Sequence, residues 1–153
     1  MSSPTPAVAR PDIRRAVPAD LSGVLAMLRA AQLSLPGVDE HLDSFFVAER
    51  SSRLVGVMGL ELRGTHALLR SAIVAPDARG DGVAAALFEA VVHTARGEGV
   101  RTLVLLTTSA AEYWARHGFV HITRDDVPDA VKESHEFRGS CPDSAAVMSR
   151  PVE

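Results

Sequence analysis

The chain has 153 residues, and its sixteen basic and nineteen acidic side chains leave a formal net charge of −3. Hydrophobic residues make up 46% and charged residues 23%, which suits one globular domain with its own core and argues against disorder. No Lys/Arg-rich block is present to bind a nucleic-acid backbone, and no run of about 18 apolar residues is present to cross a membrane as a helix. The single cysteine, Cys141, rules out an intrachain disulfide and any cysteine-paired metal site.

Residues 1–11 are rich in Ser, Pro and Ala and lack the charged start and apolar stretch of a secretory signal. They are expected to form a flexible leader to a single domain over 12–153, in a cytoplasmic protein. Ile13 to Val17 reads as a strand. Pro18 opens a predicted helix to Gln32, with Leu21, Val24, Leu25 and Leu28 on one face. Leu35-Pro36-Gly37 breaks it, and Val38 to Ser44 is at most a short helix. Phe45 to Glu49 and Leu54 to Arg63 form a predicted hairpin, and Ala67 to Val74 is the next strand. A long helix follows from Gly82 to Glu98, with Ala84, Leu87, Phe88, Val91 and Ala95 on its apolar face. Thr102 to Thr107 is apolar and β-branched, the pattern of a buried central strand. Ala110 to His117 reads as a helix, Phe119 to Arg124 as a strand, Pro128 to Phe137 as a helix and Ala145 to Arg150 as a last strand. The hairpins imply antiparallel pairing, and the strand–helix–strand over 67–107 implies a parallel crossover. The expected fold is α/β, a mixed sheet of about six or seven strands with helices on both faces.

Between strand and long helix stands Val74-Ala75-Pro76-Asp77-Ala78-Arg79-Gly80-Asp81-Gly82-Val83-Ala84. Gly80, Gly82 and Ala84 let a backbone pass close to a bulky ligand. The amides that open the helix, together with its dipole, suit a pyrophosphate, and Arg79 can add a charge-assisted contact. Taken alone, the same stretch is also an ordinary strand-to-helix turn. It is not a Walker loop, since no Gly-Lys-Ser/Thr follows, and it is not the Gly-x-Gly-x-x-Gly dinucleotide fingerprint.

Arg79-x-x-Gly82-x-Ala84, Ile73-Val74-x-Pro76 and Tyr113-Trp114-x-x-x-Gly118-Phe119 resemble the GNAT superfamily of acyl-CoA-dependent N-acetyltransferases, and the likeness runs over residues 12 to 150. It implies that the loop of Arg79, Gly80, Asp81, Gly82, Val83 and Ala84 holds the pyrophosphate of acetyl-CoA through its main-chain nitrogens, with the Asp81 side chain turned outward. Ile73 and Val74 would accompany the pantetheine arm, and Thr107 and Trp114 would border the cofactor. The Val74 amide, or its neighbour's, would polarise the thioester carbonyl. Leu105-Leu106-Thr107-Thr108-Ser109-Ala110 is similar to a stretch of amino-acid N-acetyltransferases. Leu68-Leu69-Arg70-Ser71, Arg124-x-x-Val127-Pro128, Glu136-Phe137 and Cys141-Pro142-x-Ser144-Ala145 resemble the arsenic-resistance N-acetyltransferase group.

The resemblance has gaps. Many relatives place a tyrosine four residues before the glycine of the Gly-Phe pair, as the acid for the thiolate. Here that position is Trp114, and Tyr113, one step of about 100° away on a helix, points elsewhere. Some relatives carry a glutamate where this chain has Leu68. Candidate acid–base groups are therefore Tyr113, Glu61 and, less centrally, His66, or water alone. For each side chain the alternative is packing or a solvated hairpin position. Arg70 sits in an apolar strand, where alternation sets it on the face of Leu68 and Ala72. It either makes an internal salt bridge or, with Ser71, clamps an acceptor carboxylate or oxyanion. Cys141-Pro142 reads as a structural turn. The expected activity is direct acetyl transfer from acetyl-CoA to the amine of a small amino-acid-like acceptor. A peptide N-terminus as acceptor, or an inert acyl-CoA-binding module, are the alternatives, and a homodimer is an open possibility.

Overall fold

In the computed structural model, which describes residues 11–140 and 144–152, seven strands make one sheet. They are β1 (Asp12–Arg15), β2 (Phe45–Arg50), β3 (Arg53–Arg63), β4 (His66–Val74), β5 (Thr102–Thr107), β6 (Val120–Ile122) and β7 (Ala146–Pro151). Their order across the sheet is β1-β2-β3-β4-β5-β7-β6. All neighbours run antiparallel except β4 and β5. These two are joined by the crossover helix α2 (Val83–Gly97). The other helices are α1 (Leu21–Ala30), α3 (Ala111–Arg116) and α4 (Asp129–Lys132).

The apolar stripe of α2, Leu87, Phe88, Val91 and Ala95, packs with Phe46, Met58, Leu60, Leu69, Leu103 and Met148 on one face of the sheet. On the other face α1 covers Val47 and Val57, while Val131 of α4 covers Leu68, Val104 and Val147. The mixed sheet with helices on both faces is thus the expected one, and no helix among the described residues is long and apolar enough to cross a membrane.

Three elements end earlier than their patterns suggest. α1 stops at Ala30 because Gln32 turns left-handed (φ 58°) and Leu33 N–H closes on the Leu28 carbonyl at 2.9 Å. β6 keeps three residues, Val120–Ile122. The helix expected over Pro128 to Phe137 breaks after Lys132. There the fully buried Ser134 offers its hydroxyl to the Phe137 amide (3.4 Å), a local bond that competes with the helical ladder.

The decisive irregularity lies in β4. Gly59 faces Arg70, yet Val57 faces Ile73, so β4 carries one residue more than β3 there. Ser71 absorbs the extra residue with φ 60°. Such a bulge reverses which side chains face which way. Arg70 does share the face of Leu68. Ala72, expected beside them, instead packs into the α2 cluster. Beyond this, β4 and β5 part: they pair only from His66–Leu68 to Thr102–Val104, after which β5 follows β7 as far as Thr107.

Candidate active site

Two cavities fill the gap between the parted strands. The larger, of about 780 Å³, runs along Val74, Arg79, Gly80, Gly82, Val83 and Ala84 on one side and Tyr113 and His117 on the other. The smaller, of about 290 Å³, is bordered by Ser34, Arg70, Ser71, Thr107, Glu136 and Ala145. Ala72, Ile73, Ser109, Ala110 and Trp114 line both, so the two spaces meet there.

The loop before α2 is built for close approach. Gly80 and Gly82 hold φ of 86° and 79°, conformations that cost an L side chain, and a Cβ on either would meet no protein atom within 4 Å. The first α2 bond runs from Ala86 N–H to the Gly82 carbonyl at 3.1 Å, so the amides of Val83, Ala84 and Ala85 have no partner inside the helix. Open space, free amides and the positive end of a fifteen-residue helix coincide, which fits a diphosphate. Asp81 is turned away: its carboxylate pairs with Arg50 at 2.9 Å and does not line the cavity.

The free edge of β4 supplies the rest of that wall. Ala75 N–H bonds the Val55 carbonyl at 2.8 Å. By the two-residue period of a strand, the N–H and C=O of Val74 therefore point away from β3 into the gap. The Val74 carbonyl receives Arg79 Nε at 3.3 Å. Opposite, Trp114 stands edge-on to Tyr113 at 5.0 Å, and Tyr113 lies 4.6 Å from the His117 ring. Tyr113 is half-buried, and that burial pushes its hydroxyl pKa up.

Two charged residues border the smaller cavity, Glu136 and Arg70, and the Arg70 side chain is fully enclosed. Its Nη1 donates to Glu61 at 2.6 Å and to the Pro36 carbonyl at 2.8 Å. Its Nη2 donates to the Ser34 carbonyl at 2.9 Å, and its Nε donates to Ser71 Oγ at 3.1 Å. Glu136 stands 3.3 Å from Nε. Burial alone would push the Glu61 carboxyl up. The bonds from Arg63 and Arg70, with His41 at 3.4 Å, more than reverse this and hold it below the usual carboxylate range. Glu61 is completely buried in this network and lines neither cavity. Arg70 and Ser71 do both: they anchor the network and border the smaller cavity.

Of the other expected residues, Ile73 lines both cavities, while Val74, Arg79, Gly80, Gly82, Val83, Ala84 and Tyr113 line the larger. Thr107, expected beside the cofactor, borders the smaller cavity, where its Oγ1 accepts the Ala110 amide at 3.0 Å. His66 starts β4 at its paired end, opposite Arg63 and Thr102, far along the strand from the gap. Cys141 and Pro142 lie outside the described residues. Sequence reasoning missed Ser34, Pro36 and Ala72. The first two act through main-chain carbonyls 36 and 34 positions from Arg70, which leaves no local signature.

A mixed sheet parted beside a bulged strand, with a glycine-opened helix start at the mouth of the gap, defines an acetyltransferase-type α/β domain. The chain belongs to the GNAT acetyltransferase family, whose domain matches residues 41–121. It is 24% identical over 136 residues to an amino-acid acetyltransferase of Neisseria meningitidis, covering 83% of this chain and 31% of that protein. It is 26% identical over 135 residues to an amino-acid acetyltransferase of an Enterobacter species, covering 82% of this chain and 30% of that protein. The chain thus spans about a third of the length of these relatives. In fold it is similar to N-acetylglutamate synthase of Neisseria gonorrhoeae, solved with coenzyme A and N-acetyl-glutamate. The TM-score is 0.81 at 22% identity, over 95% of this chain and 36% of that one. A Mycobacterium tuberculosis protein solved with CoA matches with TM-score 0.79 at 22% identity, over 94% of this chain and 100% of that one.

Proposed function

We propose that this chain transfers an acetyl group from acetyl-CoA to the amine of a small, anionic, amino-acid-like acceptor by direct attack within a ternary complex. The observation that carries the reading is the pair of cavities meeting on the free edge of β4. One opens at the amides of Val83–Ala85, and the other is bordered by Arg70 and Ser71.

Acetyl-CoA supplies an activated thioester; the residues hold and orient it. Gly80, Gly82 and the first α2 amides take the diphosphate, with Arg79 at the loop mouth. Ile73 and Val74 flank the pantetheine, and the Val74 amide is the donor available to the carbonyl oxygen. Arg70, Ser71 and Ser34 border the acceptor space. At about 290 Å³, the smaller cavity lies just below the usual ligand range of about 300–1,000 Å³, which supports an amino acid over a peptide. Arg70 beside this cavity favours an anionic acceptor, with the Glu136 carboxylate on the same wall. Acceptors of this class include arsinate- and phosphinate-bearing amino-acid analogues, which is how a role in arsenic resistance enters. Glu61, paired with two arginines, serves as their counter-ion, and the amine loses its proton to water.

The test is a turnover screen with acetyl-CoA against free amino acids, arsinate and phosphinate analogues, and short peptides, read by release of the CoA thiol. Turnover with anionic amino acids or the analogues is expected. Turnover confined to peptides would make this an N-terminal acetyltransferase. Tight CoA binding with no turnover across the panel would make it an acyl-CoA-binding module.

A further inference from the structure

Resting on the acetyl-CoA reading above, we propose that the indole N–H of Trp114 hydrogen-bonds the thioester sulfur and stabilises the thiolate as it leaves. Five residues line both cavities, and only Ser109 and Trp114 among them carry a polar side-chain group. With a diphosphate at the start of α2 and an acceptor beside Arg70, the reacting carbon and sulfur fall at this junction. Ser109 is exposed, whereas Trp114 is 6% exposed.

Among the described residues no acceptor stands within hydrogen-bond distance of the Trp114 N–H, and the indole packs against the rings of Phe88, Tyr113, His117 and Phe119. Nor is it sealed in. Among the described residues the sealed, partnerless side-chain polar atoms are Ser34 Oγ and Arg63 Nε. The indole N–H therefore reaches open space, and the spaces Trp114 borders are the two cavities. The indole ring is packed among Tyr113 at 5.0 Å, Phe119 at 5.5 Å, Phe88 at 5.9 Å and His117 at 6.2 Å. Tyr113, by contrast, lines only the larger cavity.

An indole N–H donates a hydrogen bond but does not give up its proton at neutral pH. The step then balances without a protein acid. The amine nitrogen forms the new C–N bond, and the C–S bond breaks with its electron pair going to sulfur. The thiolate leaves on the Trp114 hydrogen bond, the nitrogen's proton passes to water, and the thiolate takes a proton from water. A charge-assisted bond of this kind is stronger than its neutral counterpart, so it favours the departing state over the bound thioester.

Trp114 is the chain's one tryptophan, so the ¹⁵N-labelled protein gives one indole resonance and the wild type itself can be tested. The probes are CoA and desulfo-CoA, each titrated over pH. His117 and Tyr113 stand beside the ring, so the desulfo-CoA series is subtracted. The expected result is a downfield indole shift with CoA that follows thiol ionisation, with a midpoint below that of free CoA in the same buffer. If the Val83–Ala85 amides move with both ligands while the indole responds identically to each, the proposal is overturned and the cofactor reading stands. If neither the amides nor the indole moves with either ligand, the cofactor reading fails and takes the proposal with it.

Discussion

Replacing Arg70 by alanine leaves the Glu61 carboxylate enclosed, with Arg63 and His41 as its remaining partners. It also strips a donor from the carbonyls of Ser34 and Pro36. Removing one partner of a buried ion pair costs about 3–5 kcal/mol, a large share of the roughly 5–15 kcal/mol that a domain possesses. At about 2–4 °C per kcal/mol for a chain of this size, Arg70→Ala should melt roughly 6–20 °C lower. Thermal unfolding and urea titration at pH 7 measure this directly. The double variant Arg70→Met/Glu61→Leu should recover much of the loss, because apolar groups that fill the site need no counter-charge. A loss below about 1 kcal/mol for Arg70→Ala, a value typical of a solvated surface pair, would show that the network does not hold the 34–36 segment to the sheet. The same variant should raise the KM for the acceptor, since Arg70 and Ser34 both border the smaller cavity and the guanidinium holds the Ser34 carbonyl in place. An unchanged acceptor KM would remove Arg70 from the acceptor site and leave it a purely structural role.

Gly82→Ala should cost about 1–2 kcal/mol through its left-handed backbone and weaken CoA binding about tenfold or more, or 1.4 kcal/mol, because the added methyl enters open space at the loop; calorimetric titration with CoA checks it. Asp81→Ala breaks an exposed pair with Arg50 and should change stability by no more than about 1 kcal/mol. Its CoA affinity should change less than about tenfold at low and moderate salt, and a large gain would mean that the carboxylate opposes the phosphates. Glu61 has a folded pKa held below its unfolded value of about 4.3. Its stabilisation is therefore complete above that value and is lost as pH falls through the folded pKa. Urea midpoints from pH 3 to 7 should drop on the acid side for the wild type, and the drop should be shallower for Glu61→Gln.

Which features could be read from sequence follows from how local their causes are. Thr102–Thr107 appears as a strand with the bounds expected, because an apolar β-branched run between polar ends leaves little alternative. The Arg79–Ala84 loop was legible for the same reason: positive φ and free amides are demands on the residues themselves. Ser134 shortens a helix by a side-chain bond that no periodicity counts. The bulge at Ser71 is harder still. Serine does not announce a left-handed backbone, yet this one extra residue decides the site. It leaves Arg70 on the face of α1 and α4, beside the 34–36 segment, and turns Ala72 to the face of α2. Without it, strict alternation would put Arg70 and Ala72 on one face, and a single strand could not present a charged anchor to one cavity and a free backbone edge to the other. The strain at Ser71, in a conformation that costs an L residue roughly 1–2 kcal/mol, is the local penalty for joining the two cavities along one strand.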